Sequence, residues 1–193
     1  MERRLCRDFI RAEAGFMRRK LFFWELGGFL FTGALGTLLH FVYEWSGGSG
    51  AAACVSAVNE STWEHMKLLF VPLFIFSVAQ VCVLGRNYPN LLAVRALSAL
   101  TGVVLIPVLF YTYTGCLGYH ITWVDISIFF LADLGAFALD FALLRRGRLA
   151  ARWMQILGLA ALWGLAFCFV WCTFRPVPLP LWRDPVTGIY GIP

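Results

Sequence analysis

Charged residues are scarce in this chain. Only 14% of its 193 residues are Asp, Glu, Lys or Arg, whereas 60% are hydrophobic and the mean hydropathy is +0.74. Such a composition excludes an ordinary soluble globular domain. The sequence also lacks internal repeats, low-complexity tracts and linkers long enough to separate a second domain. It therefore predicts a single domain whose partner is the lipid bilayer.

Several motifs of known chemistry are missing as well. The six cysteines include no CxxC pair, which excludes a zinc ribbon and a thioredoxin-type redox pair. No HExxH is present, so no complete metalloprotease motif exists. Cys54 and Cys116 would pair only in an oxidising compartment, and their interpretation as small unpaired hydrophobic residues is favoured.

Five apolar stretches are each long enough to cross a bilayer as a helix, which takes about 20 residues. We predict an all-α membrane protein with five transmembrane helices and three regions. These are a basic amphipathic cytoplasmic segment over 1–20, for which a frayed tail is the alternative, the helical domain over 21–174, and an extracytoplasmic Pro- and aromatic-rich tail over 175–193. The glycines of the first span predict that it is the central helix. The spans are 21–43, 62–84, 91–114, 121–144 and 153–174.

Basic residues are distributed unevenly between the two ends of these helices. If five spans alternate, thirteen of the sixteen Lys and Arg residues fall on one side, with Arg86 and Arg95 flanking the second connection. The positive-inside rule then places the N-terminus in the cytoplasm and the C-terminus outside, in a multi-pass protein of the cell membrane. Because the cations lie at helix ends, the net charge of +5 does not indicate a nucleic-acid partner. A homo-oligomer is compatible with this sequence.

All three histidines lie at the predicted outer ends of the helices. His40 and Glu44 are four residues apart and share one helix face, while Glu60 and His65 begin the next helix. Two histidines with one or two carboxylates suit zinc, iron or manganese. We predict that His40, Glu44, Glu60 and His65 act as ligands of such a divalent metal or as catalytic acid–base groups. His120, alone in an uncharged loop, is the weakest candidate.

Other interpretations of this segment stay open. The histidines could simply hydrogen-bond to loop carbonyls. The start of the second span, with Asn59, Ser61 and Lys67, could bind an anion through free amides and the helix dipole. Ser61 and Glu64 match a capping box, which would account for that glutamate. Trp63 would belong to the interfacial aromatic belt, and Lys67 would snorkel to the surface.

Two carboxylates lie within the fourth span. Asp133 and Asp140 are seven residues apart, so they occupy nearly the same stripe of the helix. Intramembrane carboxylates are costly, and this pair predicts either a proton or ion relay or structural hydrogen bonding. We expect no basic residue at the depth of Asp133, and therefore a protonated carboxyl or a bond to the hydroxyl of Thr32 or Ser77. Glu25 is expected at the depth of Asp140.

Three segments are distinctive as patterns: HFxYEWSG at 40–47, VNESxWEHMKLxFxP at 58–72 and DPxTGxYGI at 184–192. Together they resemble a family of small bacterial integral membrane proteins of unknown function, over nearly the whole chain. The resemblance implies a multi-span bacterial inner-membrane protein and carries no reaction, substrate or cofactor with it.

Three functional hypotheses follow. The first is an enzyme embedded in the membrane that acts on a lipid or lipid-linked substrate through the histidine cluster. The second is a small transporter or ion pathway that uses Asp133 and Asp140. The third is a non-catalytic binding or accessory subunit.

Overall fold

The computed structural model describes the backbone of residues 2–192 and the side chains of residue 13 and residues 15–192. Residues 2–192 form six α-helices, the last of which is followed by a short 3₁₀ turn at Pro180–Trp182. Cys54 and Cys116 are both unpaired, which agrees with the favoured interpretation. The helices are α1 (Glu2–Trp45), α2 (Gly50–Ala53), α3 (Thr62–Leu84), α4 (Leu91–Leu117), α5 (Thr122–Leu144) and α6 (Arg152–Phe174).

Five of these helices are long and apolar enough to cross a membrane: α1 over Gly15–Trp45, and all of α3, α4, α5 and α6. The predicted all-α fold with five spans is confirmed. The predicted boundaries of α3 are met at both ends, whereas the first span begins earlier than expected because α1 runs on from the N-terminal segment without a break. The amphipathic face predicted within 1–20 falls largely on side chains outside the described ones.

Helix α4, not α1, is the centre of the bundle. It packs against α3, α5 and α6, whereas α1 packs mainly against α3 and α5. The prediction that the first span is central was wrong, because the close contacts of the α1 glycines are made with α3 and α5 only, whereas α4 contacts three long helices. A Cβ added to Gly102 of α4 would lie 3.0 Å from the Cβ of Ala136 and 3.3 Å from the carbonyl oxygen of Ala132.

A close contact between α1 and α3 sets the register of the functional site. Pro72 lies inside α3 and has no N–H to donate to the carbonyl of Leu68. That carbonyl faces α1 at Gly36, where an added Cβ would lie 2.7 Å from the oxygen. Only glycine permits this approach. One turn further along each helix toward the same end, His40 and His65 come side by side, with ring centroids 5.5 Å apart.

A charged cluster links four helices in the other half of the bundle. Arg95 is fully buried, and its Nη2 lies 2.9 Å from Oδ2 of Asp140 and 3.5 Å from Oε2 of Glu25. Gln80 donates a hydrogen bond of 2.6 Å to Glu25 and accepts one from Arg95. Arg95 was expected beside the second connection, and its pairing with Glu25 and Asp140 was not predicted from the sequence. The expected shared depth of Glu25 and Asp140 is confirmed.

Asp133 lies apart from that cluster. It is fully buried on α5, and a Cβ added to Gly33 of α1 would lie 3.8 Å from its Oδ2. Among the described residues, neither carboxyl oxygen of Asp133 nor the hydroxyl of Thr32 has a hydrogen-bond partner. Ser77 donates to the carbonyl of Leu73 at 2.7 Å. The predicted hydroxyl partner of Asp133 was thus wrong, and its role as a relay stays a prediction.

Candidate functional site

A cleft opens at the end of the bundle where α1 and α4 end and α3 and α5 begin. Its volume is about 460 Å³, within the range of pockets that bind small molecules. All three histidines line this histidine cleft, as the sequence placed them at one end of the helices. One turn deeper its walls are largely apolar, with Leu68, Ile106, Phe110, Ile128 and Phe129.

His40, Glu60 and His65 converge at the polar end of the cleft. Glu60 bridges the two rings, with Oε1 3.4 Å from Nε2 of His40 and Oε2 3.7 Å from Nε2 of His65. One ligand atom from each residue lies within 4.8 Å of the others. A tetrahedral zinc ion with bonds of about 2.0–2.1 Å holds its ligand atoms about 3.4 Å apart. This triad is therefore spaced for a metal ion after small side-chain adjustments.

The orientation of His65 also suits a metal ligand. Its Nδ1 lies 3.0 Å from the carbonyl oxygen of Ser61, which can only accept a hydrogen bond. Nδ1 therefore carries the hydrogen, and the neutral ring presents the lone pair of Nε2 to Glu60. Two acceptors that face each other need a cation between them, either a metal ion or a second proton. Carbonyl-anchored imidazoles of this kind are typical of metal-binding histidines.

The start of α3 positions His65 through a helix cap. Ser61 is the N-cap residue, and its hydroxyl accepts from the amide of Glu64 at 3.4 Å. The second arm of the predicted capping box is not formed, because the Ser61 amide donates to Oδ1 of Asn59 at 2.9 Å instead. The amide group of Asn59 also donates to the carbonyl of Gly191 at 2.7 Å. Asn59 and Ser61 are thus engaged with the protein and do not line the cleft.

Lys67 is buried and fully paired, so the snorkelling prediction was wrong. Its ammonium group lies 2.5 Å from Oε2 of Glu64 and donates to the carbonyl of Ala53 at 2.9 Å and to the hydroxyl of Thr173 at 2.8 Å. That hydroxyl in turn donates to the other oxygen of Glu64. All three ammonium protons are used within the protein. The predicted anion site therefore loses its cation.

Glu44 does not join the triad. It is exposed in the last turn of α1 and does not line the cleft. Helix α1 ends at Trp45, and the chain then turns through Gly47 and Gly48, both with positive φ. The loop that follows brings Glu60, the other predicted carboxylate ligand, to the cleft.

His120 also has a partner, which the sequence reasoning missed. Its Nδ1 lies 3.2 Å from Oδ2 of Asp125 in the first turn of α5. The hydroxyl of Tyr113 donates to the other carboxyl oxygen and accepts from the amide of Ile121 at 3.0 Å. Gly118, with a φ of +79°, reverses the chain between α4 and α5 and brings these residues together. Both His120 and Asp125 line the cleft.

The C-terminal tail folds back over the start of α3. The ring of Trp182 stacks on that of Trp63, with centroids 4.7 Å apart. Trp63 is only 7% exposed, so its assignment to the interfacial belt was wrong. Pro185 and Val186 form part of the cleft wall. The tail therefore helps to enclose the site.

Asp184 holds the turn that places these wall residues. Its Oδ1 accepts from the amides of Val186 and Thr187 at 2.7 and 3.3 Å, and its Oδ2 accepts from the Thr187 hydroxyl at 2.8 Å. Burial alone would raise the pKa of Asp184, but these hydrogen bonds hold the pKa below its usual value. The carboxylate is a structural element of the tail.

In a comparison with protein families, the profile of the family of unknown function DUF6512 matches residues 18–192. This chain belongs to that family. The predicted membership of a family of unknown function is thereby confirmed. No curated protein and no solved structure matches the chain significantly.

The chemistry of this DUF6512 protein must therefore be inferred from the site itself. The titratable groups of the cleft are the triad on one side and the His120–Asp125 pair on another, above apolar walls. No Lys or Arg is among the described residues that line it. Imidazoles and carboxylates of this kind can bind a divalent metal and transfer protons.

Proposed function

We propose that this protein is a membrane-embedded, metal-dependent enzyme that acts on a lipid or lipid-linked substrate. The observation that carries the proposal is the convergence of His40, Glu60 and His65, from α1, the following loop and α3, at the polar end of an apolar cleft. Zinc is the first choice because two histidines and a glutamate are a known catalytic zinc set, and iron and manganese also fit. Three protein ligands leave one position for water or substrate.

The lining of the cleft supports this class of substrate. Its apolar walls lie within the depth of the spanning helices and suit an alkyl chain, while the triad faces the polar part of the ligand. Glu60 and Asp125 bring negative charge to the polar end, and no cationic side chain balances them among the lining residues described. A lipid with an uncharged polar group, such as an ester, suits this arrangement better than an anionic headgroup.

The membrane and the orientation belong to the same proposal. We place the protein in the bacterial inner membrane with its N-terminus in the cytoplasm, so that the cleft opens at the outer face. Labelling of Cys116, which is exposed at the cleft end of α4, by a membrane-impermeant maleimide in intact spheroplasts tests the orientation. A variant without the other five cysteines is required, and labelling only after lysis would reverse the assignment.

Metal content provides the test of the metal site. The purified protein is stripped with a chelator, reloaded with zinc, dialysed and analysed by mass spectrometry for bound metal. We expect one zinc per chain in the wild type and strong loss in His40→Gln, Glu60→Gln and His65→Gln. Glu44→Gln is the matched control, since Glu44 is an exposed acid at the same end of the bundle. Equal zinc in the triad variants and the control would refute the site.

A second function has one observation in its favour. Asp133 is fully buried without a hydrogen-bond partner among the described residues, as a proton carrier would be. Asp140 is instead paired with Arg95. A proton pathway would therefore depend on Asp133 more than on Asp140. Proton flux in proteoliposomes that is abolished by Asp133→Asn would support it, and unchanged flux would exclude it.

A further inference from the structure

A second polar constellation faces the histidine cleft, and the proposed metal site does not use it. His120 and Asp125 line the same cleft as the triad, from the loop before α5 and from its first turn. The pair stands on a chain of contacts: Asp125 accepts from Tyr113, and Tyr113 accepts from the backbone amide of Ile121. One oxygen of the Asp125 carboxylate therefore contacts Tyr113, and the other contacts His120.

The geometry defines the tautomer of His120. The contact of 3.2 Å between Nδ1 and the carboxylate places the hydrogen on Nδ1, since a carboxylate only accepts. The lone pair of the neutral ring is then on Nε2. The side chain of His120 is 57% exposed and that of Asp125 is 27% exposed, so the imidazole is the accessible member of the pair. An accessible imidazole oriented by a sheltered carboxylate is the arrangement of a general base.

A purely structural role explains these contacts less well. An exposed ion pair contributes little to stability, typically about 0.2–1 kcal/mol, and needs no third residue to orient it. An acid in the first turn of a helix usually serves the free amides or the dipole. Here both oxygens of Asp125 are instead directed to side chains, one to Tyr113 and one to His120.

We propose that His120 is the general base of the cleft, oriented by Asp125 and Tyr113, and that the substrate is a lipid acyl ester. This inference rests on the proposed function, because the ester would be polarised at the triad. Water is the only co-reactant that the reaction needs. His120 is the catalytic residue, and Asp125 and Tyr113 are positioning residues.

The proposed step is hydrolysis. Nε2 of His120 takes a proton from water while the water oxygen bonds to the ester carbonyl carbon, and the carbonyl electron pair moves onto its oxygen. When that pair returns, the bond between the carbon and the alcohol oxygen breaks. The proton then passes from Nε2 to the alcohol oxygen. Ester and water become a carboxylic acid and an alcohol, without any oxidant or reductant.

The first arm of the test reads the tautomer without any substrate. The protein with ¹⁵N-labelled histidine is placed in lipid nanodiscs, and the ring nitrogens are observed by NMR. We expect neutral His120 as the Nδ1–H tautomer, and a shift toward the Nε2–H tautomer in Asp125→Ala but not in Glu44→Gln. An Nε2–H tautomer in the wild type, or no response to Asp125→Ala, would overturn the proposal.

The second arm measures hydrolysis of p-nitrophenyl palmitate in mixed micelles by zinc-loaded protein. We expect His120→Gln to lower kcat by about 10²–10⁴-fold, with KM and bound zinc unchanged. Asp125→Ala should lower kcat by less than His120→Gln does, and Tyr113→Phe should lower it by less than Asp125→Ala does. Full activity in His120→Gln would overturn the proposal, as would a zinc-loaded wild type that leaves the ester intact. A wild type that binds no zinc would instead refute the metal site, and the tautomer would still decide the orientation of His120.

Discussion

Replacing Arg95 with Met removes the cation around which Glu25, Gln80 and Asp140 are arranged. Arg95 is fully buried, and Met fills much of its volume without its charge. Removing one partner of a buried ion pair costs about 3–5 kcal/mol, because the other charge is left uncompensated. Two carboxylates lose their partner here, so we expect a loss of about 4 kcal/mol in the free energy of unfolding, which changes the equilibrium constant several hundredfold.

The assay is reversible unfolding in mixed micelles with increasing SDS, followed by tryptophan fluorescence. Arg95→Lys keeps the charge but not the planar guanidinium, and it should lose about half as much stability. The triple variant Glu25→Gln, Arg95→Met, Asp140→Asn should recover most of the loss, since no charge stays unpaired. If Arg95→Met costs less than about 1 kcal/mol, as for an exposed pair, the cluster does not hold the four helices together.

Three further predictions follow from the close contacts and the tail. Gly36→Ala should cost about 1–3 kcal/mol of stability and weaken zinc binding, because its Cβ would meet the carbonyl of Leu68, whereas Gly27→Ala, with nothing within 4 Å, should do neither. Equal effects of the two would contradict the proposed helix contact. The pKa of Asp184 is depressed in the folded tail. The stabilisation of the tail by this carboxylate should therefore be complete above the unfolded pKa of about 3.9, and it should be lost as pH falls through the folded pKa. Asp184→Asn should remove this pH dependence, measured as protease cleavage of the tail. Trp182→Ala should release the tail from Trp63 and accelerate cleavage at neutral pH, with Trp182→Phe close to wild type.

The helices could be predicted because their signals are local. Hydropathy over about 20 residues marks each span, and the Ser61 cap marks the start of α3. The packing of α1 was misjudged because the signals that decide helix packing are not local. Its glycines show that some helix approaches closely, but the identity of that helix depends on partners distant in the sequence, such as Leu68.

The buried cations were the main error of the sequence reasoning. Arg95 and Lys67 lie near helix ends, where a basic residue usually reaches the interface. Both are instead fully buried, with acidic partners. For Lys67 the partner Glu64 lies only three residues earlier, so the sequence could have indicated the pair. For Arg95 the acids Glu25 and Asp140 come from other helices, which no local pattern reveals.

The candidate site was predicted in part. His40 and His65 meet because α1 and α3 pack closely, and the spacing of the polar residues at the helix ends was sufficient to expect it. Of the two predicted carboxylates, Glu60 joins the histidines and Glu44 does not, since the loop conformation decides which one reaches the cleft. The contact between His120 and Asp125 spans only five residues, and it was missed because the left-handed turn at Gly118 and the position of Tyr113 are not visible in the pattern.

X-ray absorption at the zinc K-edge of the zinc-loaded protein tests the proposed metal centre. We predict two imidazole nitrogens and one carboxylate oxygen at about 2.0–2.2 Å from the zinc, with a further exchangeable oxygen, and the loss of one imidazole in His65→Gln. A zinc shell without imidazole, or one that His65→Gln leaves unchanged, would contradict a metal centre at His40, Glu60 and His65.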